Sequence, residues 1–308
     1  MSLPSSRYER AVPLYLEAVP PELSRGAAGV DAVLEKIEAL QGNVGLDGVN
    51  IPEIREESSK SERGERIKPF EPRMEPRELA ALVRETFGVE CMINRVVVHM
   101  ERERQADWFR QTWEEYGIRQ FVLVGGEKSG IDYPGPSVPE ANELIRRVVR
   151  DPGLRVGNIC IPTRRGEAER MRRKMAAGVD FFTTQIIYHA AEFTGLLDQL
   201  GEPPAGGRAP TLLLTLCPVR SARNIRFLHW LGVSISRDLE AWLVENPDQV
   251  TERALEQIEV TWAEICQYLA ERGERFPVGV SIAPIGKVPH ATSIRLAREL
   301  VRNCTALA

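Results

Sequence analysis

The chain is poor in the patterns that most quickly betray a function. Its five cysteines, Cys91, Cys160, Cys217, Cys266 and Cys304, are scattered, odd in number and never in CxxC spacing. Neither a disulfide framework nor a zinc site is indicated, and the five read as small buried hydrophobes. The four histidines, His99, His189, His229 and His290, show no HxH or HxxxH spacing, which excludes a tightly spaced histidine metal motif but not ligands gathered from distant strands. An excess of basic charge is missing as well: the formal net charge is -4, against the basic footprint of a general nucleic-acid binder. No apolar run reaches the roughly 18 residues that span a bilayer. The amino terminus lacks the basic stretch and apolar core of a signal peptide, so the expectation is a cytoplasmic protein with no nucleic-acid and no membrane partner. Internal repeats and long linkers are absent too.

What is present is ordinary globular material, 308 residues with 43% hydrophobic content, patterned as strands alternating with helices. Strands are expected at 14–19, 48–51, 95–100, 120–124, 155–161, 180–187, 211–216 and 277–282. Helical spacing appears at 31–40, 75–87, 102–116, 139–150, 167–177, 192–200, 222–231, 238–244, 251–272 and 292–303. Residues 53–73 are dense in Glu, Lys, Arg and Ser without apolar period and read as a long loop. Eight strands, each followed by helical material, in about 300 residues imply one closed (β/α)8 barrel domain over 1–308, with extra helical material at 238–272. A doubly wound open sheet is the alternative, but such folds carry a GxGxxG turn after their first strand. Here the first strand exits in Pro20-Pro21.

One residue in that first strand is out of character. Glu17 lies within an otherwise apolar run, Leu14-Tyr15-Leu16-Glu17-Ala18-Val19, and an ionised carboxylate buried without partners costs several kcal/mol. Either it caps a loop or pairs with an arginine, or it is a desolvated acid with a raised pKa. In a barrel of this type the reactive groups gather at the carboxyl ends of the strands. The polar residues expected there are Glu17, Asn50 and Glu53, Asn94, Arg95 and His99, Glu127, Thr184 and Gln185, and Ser281. Two carboxylates facing one cavity can be driven apart in pKa, one donating a proton and the other stabilising a cation. A buried Gln offers both donor and acceptor to a heteroaromatic edge such as a pterin or flavin. The constellation suggests acid-assisted chemistry on a nitrogen heterocycle.

Four stretches resemble the methylenetetrahydrofolate reductases, a family of eight-stranded barrels. LEAVPP, from Leu16, resembles that family's FEFFPP, and GIRQFVLVGGE, Gly117 to Glu127, resembles its fourth strand ending in LRGD. EAERMRRKMAAGVDFFTTQ, Glu167 to Gln185, is similar to DLxxLKxKxDAGAxxxITQ, and LTLCPVRSARNIRFL, from Leu214, is similar to the strand and helix around PGIxPV. The resemblance implies reduction of 5,10-methylenetetrahydrofolate to the 5-methyl form, with Glu17 as general acid and Glu127 as the carboxylate that favours the cation. It places Gln185, Asn50 and Glu53 with the folate substrate, and Gly126, Glu167, Lys174 and Asn94 with the cofactor. Arg220 and Arg223 either clamp the folate's glutamate tail or form a solvated helix start. The family's Arg in LRGD is Gly125 here, its Tyr-Pro-Glu after the fifth strand is replaced around Ile159 to Pro162, and an aromatic after the seventh strand is Ala222. Two routes are therefore implied, hydride from NADH or NADPH through FAD, or directly from the nicotinamide. A folate-binding barrel serving as a methyltransferase component or partner subunit is the competing reading. A homo-oligomer carries no signature in this sequence and stays open.

Overall fold

The structure, a computed structural model, describes residues 12–56, 64–66, 68–126, 131–203, 208–273 and 275–302. Its core is a closed barrel of eight parallel strands in chain order: β1 (Leu14–Glu17), β2 (Gly48–Pro52), β3 (Cys91–Val96), β4 (Gln120–Val124), β5 (Arg155–Cys160), β6 (Phe181–Ile186), β7 (Thr211–Leu216) and β8 (Val278–Ile282). Closure runs through parallel pairing of β8 with β1, Tyr15 beside Ser281. The outer layer is α1 (Gly26–Val44), α2 (Pro76–Phe87), α3 (Arg102–Glu114), α4 (Val138–Val148), α5 (Glu167–Ala176) and α6 (Ala190–Leu200), then α7 (Ala222–Trp230), α8 (Arg237–Val244), α9 (Val250–Arg272) and α10 (His290–Arg302). The chain thus adopts a (β/α)8 barrel. Among the described residues, no helix is long and apolar enough to cross a membrane.

Strand alternation decides which side chains meet the interior. Leu14 and Leu16 belong to the large cluster between strands and helices, whereas Tyr15 joins Met92, Val122, Phe181 and Leu213 in a separate cluster inside the barrel. These bulky groups fit because small residues face them. A Cβ at Gly48 would collide with the Tyr15 ring, and one at Gly157 with the Phe181 ring. By the same parity Glu17 shares the inward face of Tyr15, and Asn50, Asn94, Thr183 and Ser281 lie on the inward faces of their own strands.

One expectation, the position of the third strand, needs correction, and the loop expected at 53–73 gains a placement. The third strand, expected at 95–100, spans Cys91–Val96. Val97 and Val98 are β-branched and buried, which imitates strand, but they continue past the rim: Val97 still donates to the Val124 carbonyl at 3.0 Å, and Val98 accepts from the Gly135 amide at 2.8 Å. The described residues of the 53–73 segment form no helix, and they are not a solvated excursion. Leu23 donates to the Pro72 carbonyl (2.9 Å), Met74 to that of Pro21 (2.9 Å), and Arg73 to that of Pro20 (2.7 Å). The segment is thereby laid against the exit of β1. The extra helices α7, α8 and the start of α9 share a further apolar cluster, including Ile225, Leu228, Leu243 and Val250, at the β7 side.

Candidate active site

Glu17 ends β1, directly beside Asn50 in the register of β1 with β2. The Asn50 amide donates to its carboxylate at 3.2 Å. Burial pushes the Glu17 carboxyl up from 4.5 to about 7, against the opposing effects of the Asn50 hydrogen bond and the Lys36 ammonium. Lys36, on α1, is in turn pushed down by its own burial, with Glu17 opposing. Several inward-facing polar groups of the barrel are short of partners. Asn50 Oδ1, Asn94 Oδ1, Thr183 Oγ1 and Ser281 Oγ are buried and accept or donate no hydrogen bond among the described residues. A buried polar atom left unpaired costs about 1–3 kcal/mol, and these four residues line neither of the two cavities that follow.

Glu17 and Lys36 line a cavity of about 280 Å³ together with Glu22, Arg66, Lys68 and Arg73 and the apolar Phe227 and Ile285. A second cavity, of about 460 Å³, opens at the ends of β4 and β5, lined by Gly125, Gly126, the α4 start at Ser137, and four cations, Arg164, Arg170, Arg173 and Lys174. Lys174 donates to the Ile159 carbonyl at 2.6 Å, and burial holds its ammonium below the ordinary lysine range. Gly126 packs so closely on Tyr133 that a side chain there would strike the ring.

The remaining expected site residues are placed differently. Glu53 turns to the β3 exit, accepting from the Arg95 guanidinium at 2.9 Å and the Val96 amide at 2.8 Å. Arg95 also lies 4.5 Å over the Trp108 ring, so Glu53 forms a strand-locking pair and lines neither cavity. Glu167 is buried, its oxygens taken by the Ile161 amide (3.0 Å) and Arg164 (2.6 Å), which caps the β5 to α5 turn. Gln185 donates to the Leu231 carbonyl at 3.0 Å and accepts from the Ile186 amide at 2.8 Å, so its amide is engaged with backbone. Arg220 donates to the Lys287 carbonyl at 2.6 Å, and it and Arg223 are exposed outside both cavities. Glu127 lies outside the described residues.

Sequence reading missed Lys36, Glu22 and the cations of 66–73. One signal was available: Lys36 falls on the same stripe of α1 as Val33, Ile37 and Leu40, a charge on an apolar face. For the loop cations there was none, because charges in an aperiodic segment read as solvated. Among the described residues, no group of three or more His, Cys, Asp or Glu is placed to hold a metal ion. The four described cysteines are buried and form no disulfide among the described residues, and burial pushes the Cys160 thiol up to about 12, leaving it without thiolate chemistry at neutral pH.

A family model described as mycobacterial methylenetetrahydrofolate reductase matches residues 11–257. No curated protein matches the chain. Among solved structures, a Clostridium thermocellum protein described as uncharacterized and binding two copies of 5-methyl-5,6,7,8-tetrahydrofolic acid is similar over 95% of this chain and 96% of its own, with a TM-score of 0.76 and 20% identity. N-(5′-phosphoribosyl)anthranilate isomerase from Pyrococcus furiosus aligns over 95% of this chain and 98% of its own, with a TM-score of 0.46 and 10% identity.

Proposed function

The chain belongs to the mycobacterial methylenetetrahydrofolate reductase family, and from that premise we propose that it reduces 5,10-methylenetetrahydrofolate to 5-methyltetrahydrofolate, with Glu17 as the proton donor. The observation that carries this reading is the inward-facing, desolvated carboxyl of Glu17, raised to about 7. An ordinary Glu at 4.5 is protonated to only about 0.3% at pH 7, whereas one at about 7 is protonated in roughly half of the molecules. That is the state needed to protonate a nitrogen of the five-membered ring, open it and leave an iminium cation. Once the proton has left, the Glu17 carboxylate remains beside that cation and attracts it. Asn50 orients the carboxylate through its amide.

NADH or NADPH is the proposed reductant, used directly or through FAD. The 460 Å³ cavity suits the pyrophosphate that all three share, since four cations line it. When bound there, the cofactor supplies the hydride that converts the methylene carbon to methyl. Lys174, Arg170 and Arg173 would hold the phosphates, and Gly126 lines the same cavity.

A second reading, a barrel that binds methyltetrahydrofolate without reducing anything, is favoured by the description of the C. thermocellum neighbour as a binder of that compound. One assay separates the two. Oxidation of NADH or NADPH only when methylenetetrahydrofolate is present supports the reductase, while tight folate binding with no nicotinamide oxidation under any condition refutes it. A flavin spectrum that survives gel filtration assigns the FAD route.

A further inference from the structure

The 66–73 segment contributes three of the four cations in the Glu17 cavity, and their partners can be accounted for one by one. Glu22 takes Lys68 at 2.8 Å and Arg73 at 3.6 Å. Lys36 faces Glu17, each opposing the burial shift of the other. Arg66 has no carboxylate among the described residues. Its guanidinium is held instead between two rings, 4.9 Å over Trp230 of α7 and 5.7 Å over Phe70, and Trp230 is itself stacked on Phe227 at 5.4 Å. Such stacking fixes the plane of a guanidinium while leaving its N–H edge free to bond a planar anion in bidentate fashion. The segment is fastened on both sides. A Cβ at Gly64 would clash with the backbone of Arg226 and Trp230, and Ser24 donates to Glu71 at 2.7 Å. Arg66 is therefore a preorganised cation facing the cavity that contains the acid.

We propose that Arg66 is the residue that recognises the glutamate carboxylates of the folate substrate, and so selects folates over tail-free pterins. The assignment rests on the folate reading above and moves tail recognition from Arg220 and Arg223, which lie outside the cavity, to the loop after β2. The geometry meets the chemistry at both ends: a proton donor for the pterin ring, apolar Phe227 and Ile285 along the cavity wall, and an uncompensated guanidinium for an anionic tail. A charge-assisted bidentate pair contributes about tenfold to a hundredfold in affinity.

The test is calorimetric binding of 5-methyltetrahydrofolate and of 5-methyl-6-methyltetrahydropterin, which lacks the tail, to the wild-type chain and to Arg66→Gln and Arg66→Lys. The expected result is that Arg66→Gln weakens the folate about tenfold or more and leaves the tail-free pterin unchanged, with Arg66→Lys intermediate because it keeps charge and loses the fork. Equal weakening of both ligands overturns the proposal, since it assigns Arg66 a merely structural part. Unchanged folate affinity overturns it as well, as does weakening of nicotinamide dinucleotide binding in place of folate. If the wild-type chain binds neither the folate nor the pterin, the folate reading itself has failed, and this assignment falls with it.

Discussion

Replacing Glu17 by Gln should abolish turnover and at the same time stabilise the protein at alkaline pH. Both effects come from the same desolvation. A carboxyl raised from 4.5 to about 7 is moved by roughly two and a half units, and at 1.36 kcal/mol per unit the native state loses on the order of 3 kcal/mol of stability once Glu17 is ionised. The sign follows from proton counting. Between about pH 4.5 and 7 the native chain binds more protons at this site than the unfolded chain, so stability falls as pH rises through that window and levels off above it. Gln preserves the shape and can still accept from the Asn50 amide, but it never ionises. Chemical denaturation of both forms at pH 5 and pH 8 should therefore show a stability difference in favour of Glu17→Gln that grows by about 2–3 kcal/mol between the two pH values. In parallel, kcat/KM of the wild type should decline about tenfold per pH unit above roughly 7, because the protonated acid is the working form. A stability difference independent of pH, or a variant that retains turnover, would refute the reasoning.

Three further outcomes follow from other parts of the structure. Glu53→Ala leaves the Arg95 guanidinium buried without its carboxylate, and removing one partner of such a pair should destabilise the fold by about 3 kcal/mol in denaturant melts; an unchanged midpoint would show the pair to be solvent-screened. Lys174→Met should raise the KM for the nicotinamide dinucleotide severalfold or more with the melting temperature kept or increased, since it removes a desolvated ammonium, and an unaltered KM would remove that cavity from the reaction. Gly157→Ala drives a methyl group into the Phe181 ring inside the barrel, which should cost about 1–3 kcal/mol by overpacking. The corresponding change at exposed Gly42 on α1, where a Cβ meets nothing within 4 Å, should instead be neutral or stabilising in the same melts.

Much of the architecture was legible because the signals for it are local. β4 and β7 match their expected ranges residue for residue, at Gln120–Val124 and Thr211–Leu216, since each is a short apolar run bounded by polar or proline-containing turns. β3 was displaced because Val97 and Val98 have strand propensity wherever they lie, and only the position of the barrel rim separates them from Cys91–Val96. The polar residues of the site were legible as residue types at strand ends. Their destinations were not, since a side chain at a rim can turn inward or along the rim with no change in its neighbours in sequence. Gln185 bonds backbone at Leu231, 46 positions away, and Glu53 bonds Arg95, 42 positions away.

For Glu17 the sequence alone determined that an acid sits at the end of an apolar strand, and its two-residue spacing from Tyr15 puts both on one face, because the pleat alternates by geometry. What only the tertiary structure decided is the environment of that acid. Asn50 comes from the neighbouring strand, Lys36 from the helix outside it, and Arg66, Lys68 and Arg73 from a loop that crosses the β1 exit. Burial and charge at a point in space are sums over residues remote in the chain, and it is that sum, not the local run around Glu17, that raises its carboxyl to about 7.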